Sequence, residues 1–446
     1  MSDSQGRVQH VGLSMSGGGH RASLFGLGAL MYLIDAGKGP ELAAVASVSG
    51  GSLTNGWVGL ETDLTTVSPA AFRSLASRLA VRIARKGTLW SSWLVYALLA
   101  AMALPVLGAV VATVCTGLRG TVIAWPIALL LTGIVAQRRS WVARRTFESS
   151  LFHGRRLAQM HHSVDHVLVA TELQAAEAAY FSGRFVYSWR DGFGGVGDIH
   201  VATAAQASAA LPGAFPPVAV PKTGLGLAKP TALKSFLLSD GGVYDNMGTE
   251  WMLRASSAFE PATMPPTPAP NRVDEVIIVN SSAAKQPSAR PSIRTPILGE
   301  LKTLLAVTDI MYDQTTALRR RLLNTRYRIA QYADSIPRGL ANDGLRGATI
   351  QIDRSPYELP NQWRHGDTDR AQRARAVLGV LGDEAAWQRE ADANKGVGTT
   401  LSKIPAERAA SLLRHAYVLT MANAHVLLDY PLLAVPTIAE SQAWLK

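Results

Sequence analysis

The sequence of 446 residues is poor in cysteine, since it contains only Cys115, which lies within an apolar run. A single cysteine cannot form a disulfide within the chain, so a disulfide-held fold is excluded and the globular part is compatible with a reducing compartment. Residues 1–7 contain no apolar signal core, and we expect no cleaved export signal. His161 and His162 are adjacent and diverge on any regular element, and no other spacing fits a metal site. We expect neither a metal nor a cofactor.

Charged residues are scarce as well. They make up 17% of the chain against 48% hydrophobic residues, an apolar share that predicts apolar surface outside a water-excluded core. The charges that are present are unbalanced, and the formal net charge of +11 favours an anionic partner, either nucleic acid or a phospholipid surface. We find no basic face interleaved with base-stacking or groove-reading elements, so we expect no nucleic acid partner.

Two long stretches lack charge altogether. Residues 93–118 form the first, and residues 121–136, which follow Arg119 and Gly120, form the second. A helix rises ~1.5 Å per residue, so the first stretch can cross a hydrocarbon core of ~30 Å, whereas the second falls short of the ~20 residues usually needed. Three structures remain open for this segment: a hairpin with two spans, a re-entrant hairpin, and an apolar helix pair in a globular core. We favour a membrane hairpin.

Basic residues flank this apolar segment on both sides, while its central turn holds only Arg119. The positive-inside rule therefore places both flanks on the cytoplasmic side, where they would meet anionic lipid headgroups. Trp90, Trp93 and Trp141 lie where an aromatic belt is expected. We expect residues 73–158 to be an inserted, basic-flanked membrane hairpin. The flanking basic residues are Arg73, Arg78, Arg82, Arg85 and Lys86 before the segment, and Arg138, Arg139, Arg144, Arg145, Arg155 and Arg156 after it.

The regions outside the insertion contain strands and helices in alternation. Residues 8–15 are predicted to form a buried strand, a glycine turn follows, and residues 20–36 have apolar residues at helical spacing. A second strand at 45–48 ends in a sharp turn, which is typical of the opening of a parallel sheet with helical crossovers. Further strands are predicted at 167–170, 236–238, 275–280 and 348–352, further helices at 200–209, 298–323 and 406–428, and a proline-rich loop at 261–270.

Ser49 ends the second predicted strand, within the sequence Ser-Val-Ser-Gly-Gly of residues 47–51. This pattern is typical of a nucleophile elbow, in which a strained strand-to-helix turn exposes a serine hydroxyl and small neighbours let strand and helix approach closely. An ordinary glycine-serine turn would leave the same pattern, so this motif alone leaves both alternatives open.

Three consecutive glycines, Gly17, Gly18 and Gly19, precede the first predicted helix. They leave backbone N–H groups free at the positive end of the helix dipole, where such groups can bind the oxyanion of a tetrahedral acyl intermediate. A dinucleotide-binding loop is the alternative, but the fold that carries such a loop typically has an acidic residue at the end of its second strand. Here the second predicted strand ends in Ser49 instead.

Asp240 follows a short apolar strand and precedes Gly241 and Gly242. A carboxylate at a strand end can lie beside a serine hydroxyl and act as its general base. The alternative is an Asp-Gly turn without chemistry, which is the commonest meaning of this dipeptide.

In this order, the three motifs resemble the patatin-like phospholipase family. Two linking segments add to the resemblance: Ala-Thr-Glu-Leu at 170–173 with Tyr-Phe at 180–181, and Ser-Ala-Ala-Leu-Pro-Gly-Ala-Phe-Pro-Pro at 208–217. The resemblance covers residues 8–60 and 165–282. It implies an α/β fold with a patatin-like parallel-sheet core and flanking helices, interrupted here by the inserted helical membrane hairpin.

The resemblance also implies roles for individual residues. Ser49 would be the nucleophile and Asp240 the general base, and we expect both in surface turns. The oxyanion hole would be built by Gly17, Gly18 and Gly19, and the motifs would be supported by Arg21, Gly51, Gly241 and Gly242. The chain departs from the family pattern at Ser47, which replaces a glycine of the elbow, and at Ala22, which replaces the last glycine of the loop.

A Ser–Asp dyad needs no histidine, so His20 is expected to pack or to form local hydrogen bonds. A Ser–Asp–His triad remains the alternative, because His365, His415 and His425 all lie downstream of Asp240. His415 lies among apolar residues, as a core histidine does.

These observations predict a membrane-attached serine lipid acyl hydrolase of the phospholipase A kind that forms an acyl-enzyme. Residues 1–72 and 159–446 would form its catalytic domain on the cytoplasmic side, with a phospholipid or another acyl lipid as substrate. A lipid transacylase and a non-catalytic membrane scaffold that keeps the fold are the alternatives. The lipid head group, the acyl chain and the oligomeric state remain open.

Overall fold

The computed structural model describes residues 10–257, 259, 263–282, 296–333, 337, 342–361 and 367–446. The strands are β1 (Val11–Met15), β2 (Leu42–Val48), β3 (Asp165–Glu172), β4 (Glu177–Phe181), β5 (Val186–Ser188), β6 (Gly192–Gly194), β7 (Val218–Pro221), β8 (Ser235–Asp240), β9 (Glu275–Asn280) and β10 (Arg346–Gln351).

Helices surround this sheet and form the insertion. They are α1 (Gly19–Asp35), α2 (Gly50–Glu61), α3 (Pro69–Arg85), α4 (Trp93–Thr116), α5 (Leu118–Ala136), α6 (Arg139–Phe147), α7 (Val201–Ser208), α8 (Gly242–Asp245), α9 (Thr249–Ala255), α10 (Pro296–Gln331), α11 (Thr368–Leu381), α12 (Glu384–Lys395), α13 (Ala406–Leu428) and α14 (Ile438–Ala443).

Most predicted elements are found within a few residues of their expected bounds. The strand at 275–280 and the helix at 406–428 are confirmed with both ends in place. The helix predicted at 298–323 is longer and extends over Pro296–Gln331. The start of the strand predicted at 8–15 and part of the loop predicted at 261–270 lie outside the described residues.

The sheet is mixed, so the prediction of a parallel-sheet core is correct for only part of it. The strand order is β10-β9-β1-β2-β3-β4-β5-β6. The first five strands of this order are parallel, whereas β4, β5 and β6 continue it in antiparallel pairs, and β8 pairs antiparallel with β3 and β7. The antiparallel part arises because the connections from β3 to β6 are short, too short for helical crossovers.

Both faces of the sheet are buried. Along β9, the side chains of Ile277 and Val279 enter one hydrophobic core and those of Val276 and Ile278 enter the other, as the alternation of side chains along a strand requires. Helices α1 and α13 lie in the first core, while α9 and part of α10 cover the opposite face. Burial on both faces explains why the central strands are almost continuously apolar.

The insertion between α3 and β3 contains an antiparallel pair of helices, α4 and α5, joined at Gly117. Trp125 Nε1 donates a hydrogen bond to Thr113 Oγ1 at 3.1 Å, and Thr132 Oγ1 donates one to the carbonyl of Met102 at 3.2 Å, so polar contacts link the two helices. Both are long and apolar enough to cross a membrane, by length and composition. Their large exposed side chains include Leu104, Leu107, Val111, Val114, Val122, Ile123, Leu129 and Leu130.

The second helix of the pair is longer than its uncharged run. Arg119, expected in the turn, lies instead in the first turn of α5, whose 19 residues extend roughly 28 Å at the usual helical rise. That length is close to the ~30 Å of a hydrocarbon core. The second helix is therefore long enough for a span, which its uncharged run alone is not.

Close contact between α1 and α13 allows a test of this packing. A Cβ atom at Gly28 would overlap the carbonyl oxygen of Leu413, whereas one at Gly379, on α11, would meet nothing within 4 Å. We expect Gly28→Ala to destabilise the protein by about 1–3 kcal/mol through overpacking. Gly379→Ala should be neutral or stabilise by about 0.5–1 kcal/mol, since alanine is the better helix former. Thermal unfolding followed by tryptophan fluorescence compares the two, and an unchanged midpoint in Gly28→Ala would contradict the packing described.

Candidate active site

The register of the sheet brings the ends of β2 and β8 together. Along one edge of β3, Val48 pairs with Val169 and Asp240 pairs with Ala170, the next residue of the same strand. Strand β4 occupies the other edge of β3, so β2 and β8 lie on the same edge and meet end to end. Ser49, directly after β2, therefore lies beside Asp240 at the end of β8.

Ser49 occupies a strained turn between β2 and α2. Its backbone has φ 51° and ψ −117°, a conformation with positive φ that non-glycine residues rarely adopt. The turn is tight, because a Cβ atom at Gly50 would overlap the carbonyl of Gly19 and one at Gly51 would come within 2.9 Å of the carbonyl of Met15. This strain and these contacts are the features expected of a nucleophile elbow.

Ser47, which departs from the family pattern, fits the elbow through hydrogen bonds. Its hydroxyl donates to the carbonyl of Val167 at 3.2 Å and accepts from Asn55 Nδ2 at 2.9 Å. The hydroxyl of Ser52 lies 3.1 Å away. The side chain is fully buried, so these partners offset the cost of burying its polar atom.

Asp240 is buried, with 2% of its surface exposed, so the expectation of a surface turn is wrong for this residue; Ser49 is half-buried. Burial raises the pKa of the Asp240 carboxyl to about 6, although three hydrogen bonds oppose the shift. The N–H of Gly242 donates to Oδ1 at 2.8 Å, and the hydroxyls of Ser49 and Tyr312 donate to the same carboxylate. The nucleophile candidate is therefore hydrogen-bonded to the base candidate, whose carboxylate is shielded from bulk solvent.

Ser208 holds the elbow and the aspartate in place. Its hydroxyl accepts a hydrogen bond from the N–H of Ser49 at 2.9 Å and donates to the carbonyl of Val169 at 2.6 Å. Its carbonyl accepts from the N–H of Gly241 at 3.1 Å. The carbonyl of Ala210 accepts from the N–H of Asp240 at 3.0 Å. The segment at 208–217, recognised in the sequence only by resemblance, thus lies against both residues.

The glycine loop lies beside Ser49, but its N–H groups are not equivalent. Gly17 donates its N–H to the carbonyl of Asn246 at 3.0 Å, so this group is already engaged. Among the described residues, no acceptor takes the N–H of Gly18 or Gly19, which stand at the N-terminus of α1. These two groups are the ones free to bind an oxyanion.

A segment near the C-terminus encloses the glycine loop. The N–H of His20 donates to the carbonyl of Thr400 at 2.8 Å, and Arg21 Nη1 donates to the carbonyl of Val397 at 2.5 Å. Arg21 is buried, so its contacts agree with the supporting role expected of it. Thr400 lies so close that a Cβ atom at Gly19 would overlap its backbone. Because this segment carries no motif, sequence reasoning missed it.

Ser49 and Asp240 open onto a cavity of about 530 Å³. One part of its wall is polar and is formed by the glycine loop with Arg21, Asn246, Ser282, Tyr312, Asp313, Thr399 and Thr400. The rest is largely apolar, with Leu89, Trp90, Ala209, Leu211, Ala214, Phe215 and Leu401. A wall of this kind suits a hydrocarbon chain held against a polar reacting group.

The histidines of the described residues do not line this cavity. His20 is buried, and its ring contacts the hydroxyl of Thr88 at 2.9 Å and the carbonyl of Ser402 at 2.6 Å, which is the local role expected of it. His415 is fully buried and contacts the carbonyl of Arg354 at 2.9 Å, and His425 contacts that of Tyr430 at 2.6 Å. His365 lies outside the described residues.

No group of three or more His, Cys, Asp or Glu side chains in the described part of the chain is arranged to hold a metal ion. The cavity presents a serine hydroxyl, a carboxylate, a tyrosine hydroxyl and N–H groups at a helix N-terminus. This set can perform acyl transfer, since it provides a nucleophile, a base and oxyanion donors.

Comparison with known proteins gives a family match. The model of the patatin-like phospholipase family matches residues 13–253. Among solved structures, human GIVD cytosolic phospholipase A2 is similar with a TM-score of 0.34 and 13% identity, over 65% of this chain and 50% of that one. VipD from Legionella pneumophila gives a TM-score of 0.25 and 13% identity, over 100% of this chain and 92% of that one. The chain thus spans about half the length of the human protein. No curated protein matches it.

The contact between Tyr312 and Asp240 predicts a change in pH dependence. Tyr312→Phe removes a donor to the carboxylate, so the pKa of Asp240 should rise above its value of about 6. A base is lost when it is protonated, so the reaction of Ser49 with a fluorophosphonate should fail at a higher pH in the variant. Loss of one neutral hydrogen bond should raise the acid-side midpoint of this labelling by roughly 0.5–1 pH unit.

Tyr327→Phe is the matched control for this experiment. It removes a hydroxyl from the same helix, but that hydroxyl donates to the carbonyl of Val276 at 3.2 Å. Its midpoint should equal that of the wild type. An unchanged midpoint in Tyr312→Phe would contradict the role of Tyr312.

Proposed function

The chain belongs to the patatin-like phospholipase family, and on that premise we propose that it is a membrane-attached serine hydrolase that cleaves acyl esters of lipids at Ser49. The observation that carries this proposal is the hydrogen bond from the Ser49 hydroxyl to the buried carboxylate of Asp240. It joins a nucleophile on a strained elbow to a base inside a cavity with apolar walls.

In the proposed reaction, Ser49 Oγ attacks the carbonyl carbon of the ester while its proton passes to Asp240. The negative charge that develops on the carbonyl oxygen is bound by the N–H groups of Gly18 and Gly19, to which we restrict the oxyanion hole. The intermediate expels the alcohol, which takes the proton from Asp240. Water then attacks the acyl-enzyme while Asp240 again accepts a proton. The second intermediate releases the fatty acid as its bond to Ser49 Oγ breaks, and Ser49 Oγ takes the proton back from Asp240.

The environment of Asp240 suits this role. A carboxyl with a pKa of about 6 is ionised near pH 7 and is yet basic enough to take a proton in the transition state. At its unperturbed pKa the same group would be a far weaker base. Burial therefore supplies the basicity for which other serine hydrolases use a histidine.

Attachment to a membrane is supported by the position of the insertion. Leu89 and Trp90, which line the cavity, lie just before α4 and are separated from it by Ser91 and Ser92. At the other foot of the hairpin, Arg139 Nη1 donates to the carbonyl of Gly213 at 3.0 Å, and Ser140 donates to that of Pro216. Gly213 and Pro216 belong to the segment whose Leu211 and Phe215 also line the cavity. A lipid leaving the bilayer beside the hairpin would therefore meet the cavity directly.

We further propose that residues 73–158 form the insertion and that residues 1–72 and 159–446 form one catalytic domain. Within the insertion only α4 and α5 would enter the membrane, because Leu75, Leu79 and Ile83 of α3 pack in the first hydrophobic core. This division is supported by the sheet, in which β1 and β2 from before the insertion pair with β9 and β3 from after it. Because these strands share one sheet, both feet of the hairpin must lie on the same side of a membrane. The excess of basic residues at the feet favours the cytoplasmic side.

Removal of either member of the dyad should abolish hydrolysis. We expect Ser49→Ala and Asp240→Asn each to lower phospholipid hydrolysis by ~10³-fold or more, since a nucleophile and its base act as a unit. Matched controls are Ser282→Ala and Asp313→Asn, which change the same residue types in the wall of the same cavity. Release of labelled fatty acid measures the rate, and an alcohol acceptor distinguishes hydrolysis from acyl transfer. Turnover by Asp240→Asn at the wild-type rate would refute the dyad.

The hairpin should resist extraction from membranes. We expect the protein to stay in the pellet after a carbonate wash, because apolar helices are held by the hydrocarbon core and electrostatic attachment is not. In a Cys115→Ala background, Arg119→Cys should react with a membrane-impermeant thiol reagent from the side opposite the catalytic domain. Protection from both sides would indicate a re-entrant hairpin, and release by carbonate would contradict the anchor.

A further inference from the structure

A second cavity, of about 610 Å³, lies at the foot of the hairpin. It is lined by the end of α3, the start of α4, and the last turn of α6 with the residues that follow it. None of its lining residues belongs to the catalytic cavity. The two cavities nevertheless share one connecting segment, since Leu89 and Trp90 face the first while Ser91 and Ser92 face the second.

Cations dominate this second cavity. Arg82, Lys86 and Arg145 contribute three positive charges, against a single carboxylate, Glu148. Glu148 is already shared, since it lies 3.1 Å from Arg145 and 2.9 Å from His200 Nδ1.

Arg82 in particular lacks a counter-charge. Its side chain is half-buried, and its Nε is buried without a hydrogen-bond partner among the described residues. Neither Arg82 nor Lys86 forms an ion pair within the described part of the chain. A half-buried guanidinium without a counter-charge is unfavourable, and an anionic ligand in the cavity would supply that charge.

The start of α4 adds a further attraction for an anion. Ser92 caps this helix, its hydroxyl accepting a hydrogen bond from the N–H of Leu94 at 3.3 Å, and both residues line the cavity. The N-terminal end of a helix carries a partial positive charge. The cavity therefore combines this dipole with the uncompensated cations.

The hairpin determines the level at which this cavity would lie relative to a bilayer. Trp93, which lines the cavity and is 74% exposed, is the first residue of α4, the helix that forms the first apolar run of the hairpin. If the run begins at the edge of the hydrocarbon core, the cavity lies in the headgroup layer directly above it. Lipid phosphate groups lie at this depth, and an exposed tryptophan is suited to the same layer.

We propose that this cavity binds the phosphate group of an anionic phospholipid, which is held beside the hairpin as a bound lipid and is not a substrate. The proposal rests on the membrane attachment proposed above. Arg82 supplies a planar pair of donors that matches phosphate oxygens, and Lys86 supplies a mobile charge. A zwitterionic lipid would be held less tightly, because its own cation would face the same basic residues. The bound lipid would fix the segment at 88–92, which also forms part of the rim of the catalytic cavity.

The test uses the full-length protein in a neutral detergent, titrated in a calorimeter with short-chain diether phosphatidic acid, whose ether bonds Ser49 cannot cleave. We expect Arg82→Gln and Lys86→Gln each to weaken binding about five- to tenfold, the effect of one cation on an anionic headgroup. Arg85→Gln is the matched control, because Arg85 is exposed on the same helical turn but does not line the cavity. It should bind as the wild type does.

Equal weakening by all three substitutions would overturn the proposal, since it would indicate diffuse attraction instead of a site. Diether phosphatidylcholine should bind more weakly than the phosphatidic acid, and equal binding would also overturn it. Inorganic phosphate tests the source of the ligand, and an affinity equal to that of the lipid would rule out a lipid site. Labelling of Ser49 by a fluorophosphonate, measured on the same samples, should be unchanged. If the wild-type protein is not labelled at Ser49 at all, that result would refute the proposed hydrolase and not the lipid site.

Discussion

The hydroxyl of Ser208 is the interaction on which the geometry of the site depends. It receives the N–H of Ser49 and donates to Val169, the residue that pairs with the end of β2. The carbonyl of the same residue receives the N–H of Gly241, next to the buried aspartate. A turn with positive φ is unfavourable for serine and persists only where surrounding contacts over-determine it. Ser208 provides such contacts on both sides at once, so the hydroxyl and the carbonyl of one buried residue set the distance between Ser49 and Asp240.

Sequence reasoning located the parts of the site that are local in the chain. The elbow at Ser49 and the glycine loop each combine glycines with a strand and a helix, and such patterns carry their own physical signature. Asp240 could be placed beside Ser49 only by resemblance, because the short motif at 240–242 does not indicate how β8 pairs with β3. Tyr312 and Thr400 lie in segments without motifs, and they reach the site only through the packing of α10 and the C-terminal region.

The differences between expectation and structure have similar causes. The antiparallel strands β4 to β6 follow from short connections, which hydrophobic patterning does not reveal. Gly17 was grouped with its neighbours as an oxyanion donor, but the carbonyl of Asn246, 229 residues away in the chain, takes its N–H. Asp240 was expected in a surface turn, whereas its burial follows from the segments packed over it. In each case the deciding feature, a short connection or a long-range contact, is one that hydrophobic patterns and short motifs do not show.

The place of the apolar insertion in the chain has a consequence for biosynthesis. It separates β2, which carries the elbow, from β3, against which β2 pairs. As the chain leaves the ribosome, the first two strands appear before both hydrophobic helices, and their partner appears only after them. Strands β1 and β2 therefore remain without β3 until both hydrophobic helices have been synthesised. The same arrangement has a consequence for proteolysis: a single cut in the insertion would leave Ser49 on one piece, and both Ser208 and Asp240 on the other.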